Sequence, residues 1–306
     1  MVYCINSQNN NVVIYPVPLV QSVAEMTHEH LCKLFQDTVV CINLNAPSLR
    51  AELNEIGLQN HKYVLYNLEH KWPAGYVLKS GWNNIFKDVV GQTDFVLNFE
   101  IEDYPYFKAI GHEHKFKFFP LRYTTWFEQF IDKSIPKNYE IQFDGKVDTD
   151  IRRHTLTVLM SPVVDNGYVM EQIQLLISNS YNQSIKFRSK QMCKFCLDAP
   201  HYDYSETINL LRIFENLCLD CPTIVYDRYG ETMNYFPNLI HIFNEEQFNT
   251  LNLKNFLINT EPESYAQRFK ELTYDDIAYD NYRISILREF RDKYGIMIPD
   301  TVLEIN

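Results

Sequence analysis

Glycine is scarce in this chain, at 9 of 306 residues. Glycine-rich loops that wrap phosphate groups need several glycines close together, which excludes the P-loop and G-x-G-x-x-G types of nucleotide site. The sequence also lacks an apolar run long enough to span a membrane. Its first residues contain no basic segment followed by an apolar core of signal-peptide length. We therefore expect a cytoplasmic protein with no transmembrane segment.

A surplus of positive charge is also missing. Lys and Arg number 28 against 39 Asp and Glu, which gives a net charge of −11 and a pI near 5.3. Surfaces that bind nucleic acid broadly are normally basic, and so we do not expect a nucleic acid partner. The length of 306 residues is enough for two α/β domains of roughly 150 residues each.

Strand-like apolar segments alternate with helix-like segments along the whole chain, which indicates mostly parallel sheets covered by helices. Ligands of such sheets bind beyond the carboxyl ends of the strands, and so polar residues at predicted strand ends become candidates. In the first half these candidates are Asn43, Glu69, His70, Asn98 and Glu100.

A second series of elements begins at Tyr139, after a linker-like segment over 120–138. We predict strands over 139–145, 194–198 and 223–226, and helices from Asp150, over 171–179 and over 264–294. Another helix is predicted to start with a capping box formed by Asp203 and Glu206. At the first strand end, Gly145 lets the backbone approach a ligand, and Arg152 or Arg153 follows at a helix start. Glycine, helix terminus and guanidinium together indicate a diphosphate site.

The run Leu211–Asn216 (LRIFEN), followed by Pro222–Val225 (PTIV), resembles the donor-site helix and strand of retaining GT-B glycosyltransferases, which read R-x-F-E-A and then P-V-V. Phe143-Asp144-Gly145 followed by Arg152-Arg153 is similar to another landmark of that family. The resemblance implies an α/β fold of the GT-B type, with two Rossmann-like domains whose mostly parallel sheets face a central cleft. The expected domains are 1–135 for the acceptor and 136–306 for the nucleotide-sugar donor, with C-terminal helices packing back across the junction.

The same resemblance implies glycan biosynthesis by transfer of a sugar from a nucleotide-diphosphate donor to a hydroxyl of a glycan or other small acceptor, without an obligatory metal. Glu69 would be the catalytic residue, and His70 and Asn98 would bind the acceptor. Glu215 would hold the ribose hydroxyls of the donor. The full set of implied donor-binding residues is Gly145, Arg152, Arg153, Glu206, Arg212 and Glu215.

Three other interpretations stay open. Asp148-Thr149-Asp150 is a D-x-D triplet, as in metal-dependent GT-A glycosyltransferases, where carboxylates bind a metal that holds the diphosphate. A non-catalytic module that binds a nucleotide-sugar or a partner is the second alternative. The pairs Cys193-x-x-Cys196 and Cys218-x-x-Cys221 have the spacing of a zinc site, but an amphipathic helix lies between them. We expect these cysteines to be small apolar core residues instead.

Overall fold

The computed structural model of the chain describes most of the second half and separate segments of the first. The described residues are 3–7, 10–15, 21–31, 38–43, 62–67, 87, 90–91, 93–162, 164–165, 168–169, 173–178, 182–199, 209–228, 233–248 and 250–305.

The strands are β1 Tyr3–Ser7, β2 Asn10–Tyr15, β3 Thr38–Asn43, β4 Lys62–Asn67, β5 Phe95–Asn98, β6 Phe116–Phe118, β7 Tyr139–Asp144, β8 Val164–Asp165, β9 Tyr168–Val169, β10 Leu175–Ser178, β11 Cys193–Asp198, β12 Thr223–Tyr226 and β13 Ile240–Phe243. The α-helices are α1 Gln21–Leu31, α2 Tyr104–Ala109, α3 Asp150–Met160, α4 Gln183–Gln191, α5 Leu210–Cys218, α6 Thr250–Asn259, α7 Ala266–Thr273 and α8 Asp276–Tyr294.

The chain divides into two compact units, residues 1–122 with 276–306 and residues 123–275. Residues 123–135, which were predicted in the N-terminal domain, belong to the second unit, and residues 276–306, which were predicted in the C-terminal domain, belong to the first. Within the described residues, no helix combines the length and the apolar character that crossing a membrane requires.

The first unit contains the sheet β1-β2-β3-β4-β5-β6, in which only the β1–β2 pair is antiparallel. Helix α8 belongs to this unit, and its buried side chains recur at helical spacing, as Tyr279, Tyr282, Ile286 and Phe290 show. The Arg283 guanidinium donates hydrogen bonds to the Phe118 carbonyl from two nitrogens, at 3.0 and 2.8 Å. The C-terminal helix is therefore joined to the end of β6.

The second unit contains the all-parallel sheet β10-β7-β11-β12-β13. Its central strands are apolar and buried, and Ile141, Phe143, Phe195, Leu197 and Ile224 form much of the core. Strand β7 is the first of this sheet in the chain, yet its neighbours are the second strand, β10, on one side and the third, β11, on the other. The strand order thus reverses direction between β7 and β11. This topological switch point is where doubly wound sheets open a crevice for a ligand.

Two local predictions were wrong. Residues 171–179 were expected to be helical, but Leu175–Ser178 pair with β7 as an edge strand. Helix α5 begins at Leu210, after the capping-box residues. Its N-cap is Asn209, whose side chain accepts a hydrogen bond from the Arg212 backbone N–H at 3.0 Å. Tertiary pairing and a later Asn cap outweighed the local patterns.

Candidate functional site

The carboxyl ends of three neighbouring strands meet at the switch point of the second sheet. Strand β7 ends at Asp144 and is followed by Gly145, whose backbone N–H donates a hydrogen bond to the carbonyl of Ser178 at the end of β10, at 2.9 Å. Strand β11 ends beside them at Asp198. Gly145 has a φ of +147°, a conformation that L side chains rarely adopt. A glycine is therefore required to turn the chain at this point.

Two guanidinium groups flank Gly145. A Cβ atom added to this glycine would lie 3.3 Å from Arg212 Nη2 and 3.4 Å from Arg152 Nη1. Both guanidinium carbons also lie over the Phe143 ring, at 5.8 Å for Arg212 and 5.4 Å for Arg152. Helices α3 and α5 thus each bring one arginine to the switch point. Two planar donors beside a glycine backbone suit an anion with several oxygen atoms.

Asp198 holds the Arg212 guanidinium in place. Its Oδ1 accepts a hydrogen bond from Arg212 Nη1 at 2.6 Å, and its Oδ2 accepts one from the Asn209 backbone N–H at 2.9 Å. The Asp198 side chain is 1% exposed. Burial raises its pKa, although Arg212 and the Asn209 N–H both act in the opposite direction. One guanidinium nitrogen is therefore fixed by Asp198, while the other, Nη2, is directed at Gly145.

Arg152 and its neighbour Arg153 have different surroundings. Arg152 is 4% exposed, and its Nη1 donates a hydrogen bond to the Lys146 carbonyl at 2.9 Å. Arg153 has a side chain that is 55% exposed and forms an ion pair with Asp150, also on the protein surface. Of the two arginines that the sequence indicated, Arg152 is the one placed beside Gly145.

Metal-binding arrangements are missing from the described part of the chain. No group of three His, Cys, Asp or Glu side chains there is positioned to hold a metal ion. In the D-x-D triplet, the Asp150 carboxylate is paired with Arg153, and Asp148 accepts a hydrogen bond from Arg153 through its backbone carbonyl. Cys193, Cys196, Cys218 and Cys221 are buried side chains.

Glu215 lies in a buried cluster of charges beneath the end of β7. Its carboxylate forms an ion pair with Lys186 and lies 3.5 Å from the ammonium of Lys190. Both ammonium groups are also 3.6 Å from Asp144 Oδ2. Lys190 further donates a hydrogen bond to Asn216 Oδ1 at 2.6 Å. Two lysines from α4, two residues of α5 and the last residue of β7 are thus joined.

The electrostatics of this cluster keep Lys186 charged. Burial alone would lower the pKa of its ammonium, but Glu215 and Asp144 together outweigh that effect, and the pKa is raised. The Glu215 side chain is only 4% exposed. In the structure its carboxylate is paired with the ammonium groups of Lys186 and Lys190. This arrangement favours a positioning role for Glu215 over the ribose contact that the family resemblance implied.

Four other residues that the family resemblance implied fall into two groups. Asn98 is fully buried in the first unit, where it accepts a hydrogen bond from Asn67 at 2.6 Å and donates to Asp103 at 2.9 Å. An acceptor could not reach its amide in this arrangement. Glu69, His70 and Glu206 lie outside the described residues.

Sequence reasoning missed three residues of this region, Asp198, Lys186 and Lys190. Asp198 had a usable signal, because it ends a buried strand and is followed two residues later by Pro200. The lysines had a weaker one. They are four residues apart on α4 and therefore share a helix face, but such a pair is usually solvated.

Two solved structures of T4 phage β-glucosyltransferase are similar to this chain. One, a complex with UDP and Mn²⁺, has a TM-score of 0.34 and 13% sequence identity, covering 85% of this chain and 80% of that chain. The other, described with substrate binding and a proposed catalytic mechanism, has a TM-score of 0.32 and 12% identity, covering 85% and 83%. No family model matches the chain. No curated protein matches it either.

The buried cluster predicts the effect of replacing Glu215. Glu215→Gln removes the charge that compensates two lysines, and breaking a buried ion pair in this way typically costs about 3–5 kcal/mol. We expect a clear loss of stability in urea unfolding. Glu263→Gln is a matched control, because its exposed pair with Arg268 should contribute no more than about 1 kcal/mol. Unchanged stability of Glu215→Gln with a loss of nucleotide affinity would favour the ribose role instead.

Proposed function

We propose that the chain is a glycosyltransferase and that the second unit binds the diphosphate of its nucleotide-sugar donor at the switch point. The observation that carries this proposal is the pair Arg152 and Arg212 on either side of Gly145. The site lies at the carboxyl edge of a parallel sheet, where the order of strands reverses. The resemblance of the α5–β12 segment to GT-B donor sites supplies the reaction class.

The two guanidinium groups suit a diphosphate better than a carboxylate or an uncharged ligand. Each guanidinium presents donors in a rigid plane that fits phosphate oxygens in two places. Asp198 has already oriented the Arg212 guanidinium, and so little side-chain freedom remains to be lost on binding. With no side chain at residue 145, the proposed place for the phosphate oxygens is at the backbone, beside both guanidinium groups.

In the proposed reaction, the acceptor hydroxyl oxygen forms a bond with the anomeric carbon of the sugar. The bond from that carbon to the diphosphate oxygen breaks, and its electron pair stays on the departing nucleotide diphosphate. The hydroxyl proton passes to a base, a role for which Glu69 is the sequence-based candidate. Arg152 and Arg212 stabilise the negative charge that develops on the leaving group.

The positive charge of the two guanidinium groups is the reason to propose that donor binding needs no metal. The metal-dependent alternative would use Asp148 and Asp150, but Asp150 is engaged with Arg153. A non-catalytic nucleotide-sugar-binding module would share the same switch-point site. Binding measurements and turnover measurements therefore answer different questions.

We expect Arg212→Lys to weaken binding of a nucleoside diphosphate by roughly tenfold or more. Lysine keeps the charge but loses the planar fork, and the loss of one charge-assisted hydrogen bond costs about 1.5–3 kcal/mol. Calorimetric titration with UDP, GDP and ADP measures the change. Arg153→Lys is the matched control and should bind as the wild type does, because Arg153 faces solvent. Equal affinities for both variants would contradict the proposed site.

Gly145→Ala gives a second test with its own control. The added methyl group would lie 3.3–3.4 Å from both guanidiniums and fill the space assigned to phosphate. Gly111→Ala introduces a Cβ at a positive φ of +75° where nothing lies within 4 Å. Both variants should lose some stability through backbone strain. Only Gly145→Ala should also lose nucleotide binding, and a folded Gly145→Ala that binds normally would exclude the site.

Turnover measurements distinguish a glycosyltransferase from a non-catalytic binding module. With a nucleotide-sugar and a mixture of hydroxyl acceptors, we expect nucleoside diphosphate release that continues in the presence of EDTA. Donor binding that disappears in EDTA and returns with Mn²⁺ would favour the metal-dependent alternative. Binding without release under any acceptor condition tested would favour the non-catalytic module.

A further inference from the structure

A groove in the second unit lies away from the switch point, along the edge strand β13 and beside helix α6. Its volume is about 580 Å³. Sites that bind small molecules commonly have volumes of about 300–1,000 Å³. The groove is therefore large enough for a ligand of one or a few rings.

Aromatic side chains form one wall of this groove. The Phe256 ring on α6 lies 5.3 Å from the Phe243 ring and 4.7 Å from the His241 ring, measured between centroids. Phe243 and Phe256 are only partly buried and line the groove. Behind them, Phe195 in the core contacts Phe256 at 5.4 Å and supports it. The groove thus offers ring surface held by a packed aromatic cluster.

Three other residues that line the groove have amide side chains. Asn252 and Asn255 are three residues apart on α6 and therefore share a helix face, and Gln247 lies on the segment that precedes the helix. Asparagine is a poorer helix former than alanine, because its side chain competes for backbone hydrogen bonds. The helix nevertheless has asparagine at both of these lining positions. An amide group can both donate and accept hydrogen bonds.

The lining is also uncharged. The described residues that line the groove include no Asp, Glu, Lys or Arg. His241 lies on β13 with its Nε2 2.9 Å from the Tyr265 hydroxyl. Burial lowers the pKa of His241, against the weaker opposite effect of Glu263, which favours the uncharged form of its ring. A charged ligand would gain no counter-ion from these residues.

We propose that this groove is a binding site for a neutral saccharide. A sugar ring has an apolar C–H face that can pack against the rings of Phe243 and Phe256. Its hydroxyl groups donate and accept hydrogen bonds, as the amides of Asn252 and Asn255 also do. The site shares no residue with the arginine site at Gly145, and the inference does not depend on the proposed transferase activity.

Asn255→Ala tests the proposal in the full-length chain. The probes are maltotriose, cellotriose and triacetylchitotriose, with binding measured by ligand-observed NMR titration. We expect at least one to bind the wild type and Asn255→Ala to weaken it by roughly tenfold, since an amide can make two hydrogen bonds to a sugar. The melting temperature should not fall, because alanine is the better helix former. Asn259→Ala, on the same helix but outside the groove, should bind as the wild type does.

Several outcomes would overturn the saccharide site. They are no binding of any probe, equal binding by Asn255→Ala, and a concentration-dependent dimer in sedimentation that Asn255→Ala weakens. The last result would assign the groove to a second copy of the chain. Arg212→Lys distinguishes the two sites, because it should lower nucleotide affinity and leave saccharide binding unchanged. Failure of either proposal is then visible without affecting the other.

Discussion

The ion pair between Asp198 and Arg212 is the interaction on which the candidate site depends. A buried carboxylate such as Asp198 is stable only when it is paired and hydrogen-bonded, and here both of its oxygens have partners. Those partners are the start of helix α5 and the guanidinium that α5 carries. The strand end therefore fixes the position of the helix and the direction of Arg212 together. The anion site beside Gly145 follows from this one contact.

A second ion network also holds this helix. Arg212 and Glu215 are three residues apart on α5, and Arg212 is bound at the end of β11 while Glu215 is bound to lysines of α4. Asp144, which also contacts those lysines, directly precedes Gly145. A displacement of α5 would disturb both networks at once. The two networks together therefore hold the turn at Gly145 in a fixed position relative to α5.

Much of the fold was predictable because the relevant signals are local. Apolar strands that alternate with helices indicated parallel sheets, and the structure confirms this in both units. Strand β10 was missed because a four-residue edge strand is too short to show a period, and its apolar spacing also fits a helix. The start of α5 was misplaced because Asp203 and Asn209 are both good caps, and only packing selects between them.

The site was predictable in part. Gly145 with Arg152 or Arg153 was a candidate because the glycine follows a predicted strand and the arginines lie at the next helix start; the structure places Arg152 beside Gly145. The pairing of Glu215 with Lys186 and Lys190 could not be read from the sequence, because it joins residues of two different helices. Asp198 ends a predicted strand, at the edge of the sheet where ligands bind. Its pairing with Arg212 depends on how α5 packs on the sheet. Ion pairs between residues far apart in the chain were therefore not predicted.

The central claim is that Arg152 and Arg212 bind phosphate groups at Gly145. A crystal structure of the chain with a bound nucleoside diphosphate tests it most directly. The account predicts phosphate oxygens within about 3.2 Å of nitrogens of both guanidinium groups, the usual hydrogen-bond range. The diphosphate should lie over the Gly145 backbone, with the Asp198–Arg212 contact retained. A nucleotide whose phosphates contact neither arginine would contradict the account.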